Sequence, residues 1–159
     1  MAKILVVYDS NSGNTEKMAL AVAKGAEKEG DLEVTVKKAV ETKPSDLLAA
    51  DGIIMGSPTY FGQMSAKLKG LIDRSEQVHK QLGGKVGAAF TSSGGTSSGA
   101  ETTLLSIVHA MLIHGMIVQG RADDAHYGVA VMGAPSKEDL AECEELGRRV
   151  ATLTLKLNQ

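Results

Sequence analysis

This chain has no tryptophan, only three tyrosines and two phenylalanines, and one cysteine in 159 residues. With so few aromatics, the core must be built from aliphatic side chains and methionine. The same scarcity makes each aromatic position informative. Tyr60 and Phe61 are adjacent in a stretch that reads as a loop, so core filling does not explain them. The single Cys143 excludes an internal disulfide framework and suits a reducing cytoplasm. It falls on a helical stripe and reads as a small buried apolar residue. Neither charge sign is in excess: 17 basic against 19 acidic residues leave a formal charge of -2. A basic surface for nucleic acid and an acidic tail are both absent. No apolar run reaches the roughly 18 residues that cross a membrane. The N-terminus enters a strand pattern directly, without the layout of a secretory signal. These absences lead us to expect one cytoplasmic domain over residues 1–159, able to bury roughly 68–70% of its unfolded surface.

What the chain does have is a regular alternation of patterns. Residues 3–8 form a near-continuous apolar run, as in a strand buried on both faces. Met18, Ala19, Val22, Ala23 and Ala26 make a helical stripe within 14–29, and Gly30 is a stop signal. Leu32, Val34 and Val36 alternate with polar residues. Lys43 to Asp46 opens a short helix. Residues 52–56 are a second buried strand, and a helix begins near Ala66. Residues 86–91 form a strand of small residues, Thr103 to His114 a helix, and Met116 to Val118 the start of a last strand. An irregular insertion, Arg121 to Tyr127, separates that start from its continuation at Val129–Val131. Pro135 to Asp139 signals the start of a final helix. The βαβ alternation predicts a three-layer α/β sandwich with a five-stranded parallel sheet in the order 2-1-3-4-5, the flavodoxin-like arrangement.

In such a sheet ligands bind beyond the carboxyl ends of the strands, at the switch point between the first and third. The loops expected there, 9–15, 57–63 and 91–99, are the three richest in Ser, Thr, Gly and Asn. The first contains Ser10, Asn11, Ser12, Gly13, Asn14 and Thr15, followed at once by a helix. That is a phosphate site built from backbone amides, hydroxyls and the helix dipole, since no Lys or Arg lies between 10 and 15. The second contains Pro58, Thr59, Tyr60, Phe61 and Gly62, where an aromatic can lie along a flat ring system and Gly62 admits backbone contact. The third contains Ser92, Ser93, Gly94, Gly95 and Thr96, suited to the opposite edge. A phosphate joined to a flat, polar-edged ring suggests a mononucleotide such as FMN.

Several other chemistries lack their residues. A Gly-x-x-x-x-Gly-Lys-Ser/Thr loop is missing, as is Gly-x-Gly-x-x-Gly after the first strand. A phosphoacceptor receiver would need an aspartate ending the third strand, which instead ends Met55-Gly56. Gly95-Thr96-Ser97-Ser98-Gly99 matches a hydrolase nucleophile elbow, with Asp123 or Asp124 and His126 downstream. The loop from 91 is long for a sharp elbow, and a triad would leave residues 10–15 unexplained. The histidines show no metal-ligand grouping.

At these loops the chain resembles the flavodoxin superfamily and, within it, the WrbA family of NAD(P)H:quinone oxidoreductases. Ser10-Asn11-Ser12-Gly13-Asn14-Thr15 is similar to the flavodoxin phosphate loop, and Ser57 to Ala66 to the second loop of WrbA. Ser92 to Ser98 resembles the third loop. His114-Gly115-Met116 resembles a His-Gly-Met step whose histidine lies near the flavin in that family. Tyr127-Gly128 and Pro135 to Leu140 match as well. The resemblance implies FMN as cofactor, NAD(P)H as donor and quinones as acceptors, with His114 beside the flavin. It also implies a homo-oligomer, dimer or tetramer. The chain departs from the family in having Tyr60 where WrbA has arginine. It also shortens the insertion before the fourth strand to Val78–Gly84 and lacks the aromatic that the insertion brings over the flavin. The alternative is a flavodoxin electron carrier that passes electrons to a redox protein. The near-neutral charge and a third loop without aromatics argue against it.

Overall fold

The computed structural model describes residues 1–159. The elements in chain order are β1 (Ala2–Tyr8), α1 (Asn14–Glu27), β2 (Leu32–Lys38), α2 (Pro44–Ala49), β3 (Gly52–Pro58) and α3 (Ala66–Arg74). They continue with β4 (Val86–Ser93), α4 (Ala100–Ile113), β5 (Ile117–Val118), β6 (Val129–Met132) and α5 (Lys137–Leu157). The strands are parallel in the order β2-β1-β3-β4-β5, as predicted. β5 and β6 are two pieces of one edge position. β5 pairs with the start of β4 and β6 with its end, from Phe90↔Val129 to Ser93↔Met132. The chain between them leaves the sheet and is tied back by Arg121, which pairs with Asp123 and with Glu142 of α5. Arg149 also donates to the Gly120 carbonyl. The interruption shortens an edge that would otherwise expose a longer row of unpaired backbone groups.

Alternation along the strands divides the core in two. Ile4 and Val6 of β1 join Met18, Val22, Cys143 and Val150 beneath α1 and α5. Leu5 and Val7 face Leu47, Leu68, Leu71, Ile107 and Met111 beneath α2, α3 and α4. Each such buried side chain contributes about 1.5–3 kcal/mol of transfer free energy. Phe90 is the one fully buried large aromatic. Its ring covers Gly56 on the next strand, where a Cβ would lie 2.0 Å from it. On the same face α1 and α5 touch through backbone. A Cβ on Gly25 would lie 1.9 Å from the Glu144 carbonyl oxygen, and one on Gly147 1.9 Å from that of Val22.

The registers Tyr8↔Gly56 and Pro58↔Ser92 bring the ends of β1, β3 and β4 to one sheet edge. The three polar loops therefore meet at the switch point.

Candidate functional site

The first loop ends in Gly13, which caps α1 with φ +93, a left-handed conformation that glycine adopts without Cβ strain. Ser10 Oγ accepts the Gly13 N–H at 3.1 Å and holds the turn. No side chain caps α1. The first-turn amides that have no intrahelical partner therefore face outward, where the helix dipole favours an anion. Glu16, in the same turn, accepts a hydrogen bond from the Tyr8 hydroxyl at 2.8 Å. Burial, then the hydrogen bond and charge of Glu16, push the Tyr8 phenol up to about 12, so it keeps its proton and donates the hydrogen bond.

The second loop is a tight antiparallel turn. Tyr60 and Gln63 exchange two backbone hydrogen bonds of 3.0 Å. Phe61 and Gly62 between them have φ +52 and +75, the pattern of a two-residue hairpin turn. A non-glycine residue in this region is uncommon, and here it leaves the Phe61 ring fully exposed. The third loop closes on the second. Thr102 Oγ1 donates to the Gly62 carbonyl at 2.7 Å.

Buried hydroxyls link all three loops. Thr15 Oγ1 and Ser92 Oγ lie 2.8 Å apart, joining the first loop to the third. Thr59 and Thr91 hydroxyls lie 2.9 Å apart, joining the second to β4. Thr91 Oγ1 is also 2.7 Å from the Ser57 carbonyl, and Ser57 Oγ accepts the Ser65 amide at 2.8 Å.

The loops surround a cavity of about 190 Å³, lined by Asn11, Ser12, Asn14, Thr15, Pro58, Thr59, Tyr60, Ser92, Ser93, Gly94 and Gly133. Hydroxyl and amide side chains make up most of its lining, which contains no charged side chain. Lys67 of α3 faces Asp9 at 4.0 Å, outside the lining. Most of the residues read from sequence as a site converge here. Ser10 and Gly13 shape the first loop without lining the cavity. Phe61, Gly62, Gly95 and Thr96 lie in the adjoining loops, and Tyr60 rather than Phe61 faces inward. Gly133 was not expected. It follows β6, and its amide donates to the Ser93 carbonyl at 2.8 Å. The resumed strand at Val129 was the signal that its far end reaches the same edge.

His114 is not brought to this cavity. It caps the C-terminus of α4, whose 14 residues run roughly 21 Å down the sheet from the third loop. There the Gly84 amide binds the Gly115 carbonyl, near the start of β4. Ser75 Oγ bonds the Ile72 carbonyl at 2.6 Å, so it accepts from His114 Nε2–H at 2.7 Å. Nδ1 is buried without a partner. Burial and the nearby His79 hold the His114 imidazole below its ordinary value, which keeps it neutral. His114 lies at one end of a larger groove between α3 and α4, about 630 Å³, which starts at Met64 and includes His79 and His109. That groove lacks both a free helix N-terminus and the convergence of loops found at the smaller cavity.

The hydrolase alternative fails on contacts. His126 Nδ1 is engaged with the Arg121 carbonyl, and Asp123 with the Arg121 guanidinium. Asp124 accepts from the Ala125 amide. No hydrogen bond joins Ser97 to any of them. Cys143 is fully buried, and burial raises its thiol to about 12, which makes it inert.

Residues 2–123 match the family described as NADPH-dependent FMN reductase. A protein of Aquifex aeolicus named flavodoxin is 40% identical over 159 aligned positions, covering 95% of this chain and 86% of its own. An NAD(P)H dehydrogenase (quinone) of Archaeoglobus fulgidus is 40% identical over 192 positions, covering 99% of this chain and 100% of its own. Among solved structures, a WrbA-like flavodoxin from Agrobacterium tumefaciens superposes with a TM-score of 0.82 at 28% identity. It covers 98% of this chain and 99% of its own. An archaeal flavodoxin gives 0.79 at 31% identity, covering 96% and 99%.

Proposed function

The chain belongs to the NADPH-dependent FMN reductase family, and on that premise we propose that it binds FMN and passes electrons from NAD(P)H to quinones. The observation that carries this is the union of the open α1 N-terminus with three hydroxyl-rich loops around one cavity. FMN fits these residues. Its phosphate needs amide and hydroxyl donors, supplied by Ser12, Asn14 and Thr15. Gly94 lines the cavity, and with nothing within 4 Å of its Cβ position the backbone there is open to a ligand. Bound FMN supplies the redox chemistry, taking a hydride and passing electrons onward.

The chain's own residues bind and orient. The amides and hydroxyls at 12–15 anchor the phosphate without a cation, which suits a group that is held rather than transferred. Tyr60 and Thr59 form one wall, and Ser92 to Gly94 the other. At about 190 Å³ the cavity is smaller than the roughly 300–1,000 Å³ of enclosed small-molecule sites. Part of a ligand of FMN's size therefore remains at the open rim, where a second substrate can reach it. A cytoplasmic protein working as a homo-oligomer belongs to the same proposal. The unpaired Cys143 supports the first part, and the exposed apolar side chains of Phe61, Leu112 and Ile113 support the second. Size-exclusion chromatography tests the assembly.

A second reading, an electron carrier without substrate turnover, is favoured by the relative named flavodoxin. FMN titration followed by anaerobic addition of NADH or NADPH separates the two. Bleaching of the flavin spectrum and turnover with benzoquinone are expected of the enzyme. FMN binding without reduction by either nucleotide supports the carrier. Absence of FMN binding overturns both.

A further inference from the structure

Three helices of this chain carry an acid at their third position: Glu16 in α1, Asp46 in α2 and Asp139 in α5. Such an acid ordinarily folds back over the helix N-terminus and accepts a backbone N–H there. Two of the three do so. Asp46 accepts the Lys43 amide at 2.8 Å, and Asp139 accepts the Ser136 amide at 2.8 Å. Glu16 does not. Its carboxylate is drawn aside to the Tyr8 hydroxyl, and the Gly13 amide is bonded by Ser10 Oγ instead. The exception occurs at the one helix start that opens into the three-loop cavity.

We propose that Tyr8 and Glu16 form a latch that keeps the Glu16 carboxylate away from the α1 N-terminus, so that the FMN phosphate meets the first-turn amides without a competing negative charge. The proposal rests on the FMN reading above. A carboxylate folded back toward Gly13 would compete with Ser10 Oγ for that amide and stand against the approaching phosphate. It would also place a negative charge against a group carrying about -1.5 to -2 at neutral pH. Tyr8 can hold it because the end of β1 places the phenol beside the first turn of α1. Burial and the neighbouring carboxylate keep that phenol protonated and donating. Both are positioning residues; neither lines the cavity.

The test compares FMN with riboflavin, which has the same ring and chain but no phosphate, by fluorescence titration of the apoprotein. Tyr8→Phe frees Glu16 and is expected to weaken FMN binding about tenfold while changing riboflavin by less than about twofold. Tyr8→Phe combined with Glu16→Gln is expected to recover FMN binding. Glu16→Asp provides a second test in which Tyr8 is intact. Shorter by one methylene, the aspartate cannot reach Tyr8 and can cap the helix as Asp46 and Asp139 do. It is expected to weaken FMN while leaving riboflavin within about twofold, a phosphate-specific loss that a purely structural role does not produce. Equal losses for FMN and riboflavin, or no recovery in the double variant, overturn the latch. FMN binding untouched by these substitutions also overturns it and leaves the FMN reading standing. If the unsubstituted protein binds no FMN, both fall.

Discussion

Gly99 and Gly62 meet backbone to backbone: a Cβ on Gly99 would lie 2.5 Å from the Gly62 Cα. The loops after β3 and β4 are thereby joined where neither carries a side chain, and Thr102 adds its hydrogen bond to the Gly62 carbonyl. Two walls of the cavity are thereby tied together.

Gly99→Ala is expected to damage both stability and the site. Gly99 has φ +92, which disfavours alanine before any contact is considered, and the new methyl group meets backbone that cannot rotate away. The expected loss is about 2 kcal/mol or more in urea denaturation. FMN affinity should fall in parallel, because the second and third loops separate.

The contact between α1 and α5 gives a clean stability prediction. Gly147→Ala pushes a methyl group onto the Val22 carbonyl, and the helices must separate. A loss of about 3 kcal/mol is expected from thermal or urea unfolding. Gly120→Ala is the control. Nothing lies within 4 Å of its Cβ position, and a change within about 0.5 kcal/mol is expected.

Ser92→Ala removes the partner of a buried Thr15 hydroxyl. Leaving that group without its partner should cost about 1–3 kcal/mol. Thr15→Val together with Ser92→Ala should cost less than the sum of the single changes. A double-mutant cycle by chemical denaturation measures the difference.

His114 predicts a pH dependence of stability. Burial and His79 depress its native value below the ordinary 6.5. In the pH interval between the two values the unfolded chain binds a proton that the native state refuses, so stability rises with pH there. Above 6.5 the group contributes no slope. As pH falls from 6.5 through the native value, stability is lost, and below that value the slope vanishes. Urea midpoints of the unsubstituted protein should therefore fall more steeply from pH 7 to pH 5.5 than those of His114→Gln.

The parts of the site that were legible in the sequence are those set by neighbouring residues. Ser10 to Thr15 read as a candidate anion loop, and the uncapped helix start is visible locally because a short loop and the helix after it need nothing distant to expose their amides. The apolar runs at 3–8, 52–56 and 86–91 mark buried strands, and parallel βαβ handedness does the rest. What stayed hidden depends on length and direction. His114 follows the familiar His-Gly-Met step, yet α4 carries it the full height of the sheet away from the cavity. Tyr60 and Phe61 are adjacent and both aromatic. Only the turn geometry decides that the first lines the cavity and the second faces outward. Gly133 enters the site because β6 runs beside β4 to the same edge.

By itself, the sequence determined the layer order and the two-sided core, and it pointed to a loop whose amides and hydroxyls would hold an anion without a cation. These follow from periodicity and local backbone chemistry, which act over a few residues. Tertiary structure alone decided which groups face one another: Tyr8 against Glu16, Thr15 against Ser92, Gly99 against Gly62. Hydrogen bonds and steric contacts act over a few ångströms. Whether residues 77 positions apart in the chain come within that range is set by how the strands pair and where each helix ends.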